Sequence, residues 1–161
     1  MKDQQDTGFP EKDGIHFEEA IIVDKSADTL FAFWRDFTNL PKFMTILKSV
    51  EILEQGITRW HVDGPLGMNI SWDAEIVNER AGELIAWQSL ENSQVSSAGA
   101  VTFTSLTDQQ TEVKITAKYD PPGGQIGMAL VALLLEDPER QIKDDLARFK
   151  YYVEENLSNA T

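Results

Sequence analysis

The chain has 161 residues, 42% of them apolar and 25% charged, which is the make-up of one ordinary globular domain and excludes a disordered segment. Its 14 basic residues against 27 acidic ones leave a formal charge of -13, which repels a phosphate backbone or an anionic bilayer surface, so nucleic acid is not an expected partner. The absence of cysteine excludes disulfide frameworks, thiolate metal sites, iron–sulfur clusters and cysteine nucleophiles.

Residues 1–13 are polar, contain Gly8 and Pro10 and carry no apolar run, so they read as a flexible tail and neither a signal peptide nor an anchor. The alternation Ile15, Phe17, Glu19, Ile21, Val23 predicts a first strand; Ala20 and Ile22 are the competing inner face. Ser26 can cap a helix over Ala27 to Asp36, where Leu30, Phe33, Trp34 and Phe37 fall at helical spacing. Thr38-Asn39-Leu40-Pro41 marks a break, followed by a short helical turn with Phe43 and Met44.

Six further strands follow, at Ile46–Glu54, Ile57–Asp63, Met68–Asn78, Glu83–Leu90, Ser97–Leu106 and Thr111–Tyr119, separated by Gln55-Gly56, Gly64-Pro65-Leu66-Gly67, Ala81-Gly82 and polar turns. One face of these strands is large and apolar, with Met68, Ile70, Trp72, Ala74 and Ile76, then Ile85 and Trp87, Val101 and Phe103, and Val113, Ile115, Ala117 and Tyr119. Such a sheet needs an apolar cover. The stretch from Ile126 to Leu135, with Ile126, Leu130, Leu133 and Leu134 at helical spacing, supplies part of it. Asp137-Pro138 predicts a kink or restart, and Ile142, Leu146, Phe149, Val153 and Leu157 continue the stripe to about Asn156. The apolar run is about half the roughly 20 residues that span a bilayer, so no membrane insertion is expected and the protein is placed in the cytoplasm.

In their order along the chain, Phe33-Trp34-Arg35-Asp36 through Leu40-Pro41-Lys42-Phe43-Met44, Gly64-Pro65-Leu66-Gly67, Trp72-Asp73-Ala74-Glu75-Ile76, Ile85-Ala86-Trp87, Tyr119-Asp120-Pro121-Pro122-Gly123 and Glu136-Asp137-Pro138-Glu139 through Arg148-Phe149-Lys150 resemble bacterial cyclase/dehydrase-like proteins. These are members of the START and pollen-allergen-like (SRPBCC) superfamily, the polyketide cyclase/dehydrase and lipid transport group. The resemblance covers about Ile15 to Glu155 and implies an α+β helix-grip fold, β-α-α-β6-α, with a seven-stranded curved antiparallel sheet wrapped around a long C-terminal helix. The expected division is a single domain over residues 14–157 with tails at 1–13 and 158–161. The superfamily includes lipid and steroid carriers, quinone binders, aromatic cyclases and chaperone helpers, so the fold alone does not choose the activity. No catalytic residue of the enzymes matches a position here.

The candidate ligand site consists of Trp60, Trp72, Trp87, Phe103 and Tyr119 on strands, Phe37, Phe43 and Met44 beside the expected opening, and Ile126, Leu130 and Leu134 on the helix. A plainly packed core is the alternative for each. His61 shares a face with Arg59 and Asp63, and His16 is the only other histidine, so a histidine metal site or triad lacks material; no metal and no cofactor are expected. Asp73 and Glu75 look like a carboxylate pair but lie opposite Trp72 and Ile76, on the outer face. Gly123-Gly124-Gln125-Ile126-Gly127 reads as a turn starting the helix, since the rest of a phosphate-binding fingerprint is missing. Asn69-Ile70-Ser71 and Asn156-Leu157-Ser158 match a glycosylation sequon without a secretory context. Three functions remain open: binding or carriage of a small hydrophobic molecule (a lipid, a quinone or a polycyclic aromatic), a cofactor-independent cyclase or dehydratase acting on a polyketide-like substrate, and a protein-interaction module with an empty cavity. At most Glu19 and Tyr119 are inward titratable groups, which favours binding. The oligomeric state is left open.

Overall fold

The structure is a computed structural model and describes residues 15–54, 56–64, 67–91, 93, 95–120 and 138–158. Strand β1 (Ile15–Val23) is followed by helix α1 (Ala27–Arg35) and a 3-10 helix (Phe37–Lys42). Strands β2 (Leu47–Glu54), β3 (Ile57–Asp63), β4 (Asn69–Arg80), β5 (Leu84–Ser89), β6 (Ser96–Thr107) and β7 (Gln110–Asp120) come next, and the last described element is helix α2 (Pro138–Asn156). The bend expected at Asp137, the turn at Gly123 to Gly127, the expected tail at 1–13 and all but Ser158 of that at 158–161 lie outside the described residues.

The seven strands form one antiparallel sheet in the order β1-β7-β6-β5-β4-β3-β2. Strands β2 to β7 are a meander, because brief turns let each strand pair with its sequence neighbour. Gly82 sits in the β4–β5 turn at φ +73°, a left-handed conformation that costs glycine little. Among the described residues the only non-sequential pairing is β1 against β7, from Ile15 opposite Tyr119 to Val23 opposite Thr111. The chain must therefore cross from one edge of the sheet to the other between β1 and β2, and α1 with the 3-10 helix makes that crossing.

Ser26 caps α1 as its spacing predicts: its hydroxyl accepts from the Thr29 amide at 3.2 Å, satisfying one of the free N–H groups of the first turn. Asp36 does the same for the 3-10 helix, accepting from the Thr38 amide at 3.1 Å. The register of β1 is settled in favour of Phe17, Glu19, Ile21 and Val23. Phe17 and Val23 are buried, whereas Ile22 is 46% exposed. On α2, Ile142, Leu146, Phe149 and Val153 recur every three or four residues and are all buried against the sheet's inner face. The far end of α2 is tied to the β1–α1 corner, where Lys150 donates to the Ile22 carbonyl at 2.9 Å, the Asp24 amide donates to Glu154 at 2.8 Å, and Lys25 donates to the Leu157 carbonyl. One apolar cluster runs through α1, the 3-10 helix, the sheet and α2. No helix among the described residues is long and apolar enough to cross a membrane.

Candidate functional site

Side chains from four strands and the 3-10 helix meet in a continuous aromatic wall on the inner face. Alternation along a strand sends every second side chain to the same side, and it brings in Trp60 from β3, Trp72 from β4, Trp87 from β5 and Tyr119 from β7, all buried. Phe37 stands edge-on to Trp60 and to Trp87, with ring centroids 5.4 Å apart in both pairs. Trp60 packs on Trp72 at 5.9 Å and on Trp87 at 6.0 Å, and Trp72 meets Tyr119 edge-on at 5.7 Å. These separations fall in the range of about 4.5–7 Å in which aromatic pairs attract beyond their burial. The wall continues through Trp34 of α1, stacked on Trp87 at 6.4 Å, to Phe149 of α2.

The other candidate residues go elsewhere. Phe103, further along β6, meets Phe31 of α1 at 5.9 Å and does not join the wall. Phe43 and Met44 are both buried, line no opening among the described residues, and Phe43 packs on Trp34 and Phe149 at 5.4 and 5.0 Å. The reason is a clamp from α2. Arg148 donates to the Phe43 carbonyl at 3.2 Å and to Asp145, which in turn accepts from the Thr45 amide at 3.4 Å, so the segment leading into β2 is drawn under the helix. A hollow of about 70 Å³ does reach Phe37 from solvent, lined by Ile52, Ile57, Thr58 and Ile76. Ile126, Leu130 and Leu134 lie outside the described residues.

Two buried charged groups and a buried hydroxyl were not singled out in the sequence. Asp145 is only 3% exposed; it follows Ile142 by three residues and precedes Phe149 by four, so the helical period already placed it on the buried face. Burial pushes its carboxyl above the usual aspartate range, against the opposing hydrogen bonds from Arg148 and the Thr45 amide. Ser97 shares the inward alternation of Gly99, Val101 and Phe103 on β6 and is buried, its hydroxyl without a hydrogen-bond partner among the described residues. Lys118 is buried too, paired with Asp120 at 2.7 Å. Burial, with the nearby Asp145 charge, drives the Tyr119 phenol well above its ordinary pKa, so it stays protonated.

The outer face is wet and ion-paired. Arg59 holds Asp73 in a fork at 2.7 and 3.1 Å, and that hydrogen-bonded contact keeps the Asp73 carboxyl below the usual aspartate range. His61 Nε2 lies 2.8 Å from Glu51. Glu75 is exposed and Asp73 is engaged by Arg59, so the two do not act as an acid–base pair. Among the described residues no three histidine, aspartate or glutamate side chains gather into a set that could hold a metal ion.

A seven-stranded antiparallel sheet that lays its aromatic inner face against a C-terminal helix defines a helix-grip, START-like protein. Residues 23–147 match the family described as polyketide cyclase / dehydrase and lipid transport, and the chain belongs to that family. It is 31% identical over 144 residues to an uncharacterised 17.2 kDa protein of Streptomyces lincolnensis, an alignment spanning 86% of this chain and 89% of that one. Among solved structures, a Deinococcus radiodurans protein is 36% identical with a TM-score of 0.72, over 88% of this chain and 98% of its own. The Zhui aromatase/cyclase of a Streptomyces species shares the fold at 21% identity and a TM-score of 0.67, over 86% and 93% of the two chains. A START superfamily protein of Mycobacterium smegmatis does so at 14% identity and a TM-score of 0.66, over 88% and 99%.

Proposed function

We propose that this protein binds a small hydrophobic molecule against the wall formed by Phe37, Trp60, Trp72, Trp87 and Tyr119. The carrying observation is that this wall, continuous from β3 to β7, and the strand beside it hold buried polar atoms, Trp72 Nε1 and Ser97 Oγ, with no hydrogen-bond partner among the described residues. Buried polar atoms are nearly always paired, so two of them on one stretch of the inner face favour a partner that the described chain does not supply. The hollow beside Phe37 is the route of access in this reading. Binding is favoured over catalysis because the buried carboxylate among the described residues, Asp145, spends its described contacts on the Thr45 amide and Arg148, within the protein.

A neutral apolar fluorophore such as N-phenyl-1-naphthylamine tests the proposal. All 4 tryptophans of the chain, Trp34, Trp60, Trp72 and Trp87, belong to the connected aromatic cluster, so saturable dye binding should quench most of the intrinsic fluorescence. Ala117→Phe, on the inner face of β7 between Ile115 and Tyr119, should block the dye with the melting temperature held. Absence of dye binding by the parent, together with a loss of about 1 to 3 kcal/mol in Ala117→Phe, would mean a filled core.

A further inference from the structure

Resting on the ligand-binding reading above, we infer that Phe37 is the gate between the hollow and the aromatic wall, and that the Arg35–Glu79 ion pair is the latch that holds it shut.

Of the residues that form the wall, Phe37 alone also lines the hollow, whose other side is made by Ile52, Ile57, Thr58 and Ile76. Its ring is 3% exposed and stands edge-on to Trp60 and Trp87. The far side of the hollow leads to the same two indoles: Thr58 accepts from Trp60 Nε1 at 2.9 Å, and Ile76 faces Trp87 in the β4–β5 ladder. A ligand that enters the hollow therefore meets the Phe37 ring first, and displacement of that ring opens the way to Trp60 and Trp87.

The chain around Phe37 is jointed. Helix α1 stops at Arg35, Asp36 is extended at φ −98° and ψ 98°, and the 3-10 helix starts afresh at Phe37. The Asp36 carboxylate, in place of a continuing helix, takes the Thr38 amide at 3.1 Å and its hydroxyl at 2.7 Å. On either side of the joint the chain is pinned: Asn39 Nδ2 donates back to the Phe33 carbonyl at 2.9 Å, and Trp34 and Leu40 are fully buried. Movement is thus confined to residues 35–38, of which Arg35, Asp36 and Thr38 are exposed.

The latch is set by a β-bulge. Along β4 the inward side chains are Ile70, Trp72, Ala74 and Ile76, an alternation that would send position 78 inward and position 79 outward. The register shift between Ile76 and Asn78 reverses this and puts Glu79 opposite the fully buried Ile85, on the inner side. There its carboxylate accepts from Arg35 Nε at 2.7 Å, joining the last residue of α1 to the strand that carries Ile76 of the hollow. The two side chains are 44% and 35% exposed, so the pair is weak and screened by salt, as a latch that opens repeatedly must be.

Stopped-flow mixing with N-phenyl-1-naphthylamine tests the gate by its kinetics. Glu79 lines neither the hollow nor the wall, so Glu79→Ala should raise the association and dissociation rates together by about two- to fivefold, the range open to an exposed pair, and leave the affinity unchanged. Exchanging the charges, Arg35→Glu with Glu79→Arg, should restore the parent rates. Raising the salt from about 0.01 to about 0.15 M should speed the parent and not Glu79→Ala. Because Glu79 is exposed, its variant should melt close to the parent, which verifies that it folds. Acrylamide, a small uncharged quencher, gives a reading that needs no ligand: its quenching of tryptophan fluorescence should increase in Glu79→Ala and further in Phe37→Ala. Unchanged rates and unchanged quenching in Glu79→Ala overturn the gate, while dye binding by the parent keeps the site. A change in dissociation alone makes Glu79 a ligand contact and overturns the latch. Failure of the parent to bind the dye overturns the site, and the quenching by itself then decides the gate.

Discussion

Gly99 is where the wall is most sensitive to a single atom. It lies directly opposite Trp87 in the β5–β6 ladder, and a Cβ there would sit 2.4 Å from Cζ2 and 2.6 Å from Cε2 of that indole. The indole cannot yield, since it is rigid, 5% exposed and held by Trp34, Phe37 and Trp60. Glycine is thus required by close approach and not by backbone angle. Gly99→Ala should cost about 1 to 3 kcal/mol in urea unfolding, as overpacking does. An unchanged midpoint would show that Trp87 has room to move and that the wall is looser than its contacts imply.

At the scale of elements, the clamp of α2 on the segment entering β2 turns on Asp145. Its carboxyl titrates higher in the folded protein than the value of about 3.9 of an exposed aspartate, so the folded state binds the proton more tightly. This group's contribution is therefore fully present below the ordinary aspartate pKa, declines as pH rises toward the raised folded value, and is lost above it. Asp145→Asn keeps an oxygen that can accept from the Thr45 amide and Arg148, and it has no such titration. Measured by chemical denaturation between pH 4 and 7, the stability of the parent relative to the variant should fall as pH rises. A relative gain over the same interval would mean that the Arg148 ion pair outweighs desolvation, reversing the sign argued here.

For the whole molecule the excess of negative charge sets the response to salt. The described ion pairs are mostly exposed, such as Lys48–Asp63 and Arg80–Glu83, and such pairs are each worth about 0 to 1 kcal/mol, too little to offset the mutual repulsion behind a formal charge of -13. Shortening the screening length from about 30 Å at 0.01 M to about 8 Å at 0.15 M salt weakens repulsion between distant charges more than contacts between paired ones. The melting temperature should therefore rise over that interval. A fall would assign more of the stability to the ion pairs than to relief of repulsion.

The sequence by itself determined the elements, because their signals are local. A period of two in Phe17, Glu19, Ile21 and Val23, the turn residues after Glu54 and Arg80, and the spacing of Ile142, Leu146, Phe149 and Val153 each depend on neighbours within a few residues, and β1, both turns and α2 follow them. The inward direction of Trp60, Trp72, Trp87 and Tyr119 was legible for the same reason. Which of those rings touch, and which polar atoms are stranded beside them, depends on pairing between distant residues, and only the tertiary structure decided that. Phe103 and Tyr119 both point inward, yet the sheet order and the crossing of α1 send Phe103 to Phe31 and Tyr119 to Trp72. Phe43 and Met44 have the composition of a pocket mouth, but a helix about a hundred positions later draws them under itself through Asp145 and Arg148.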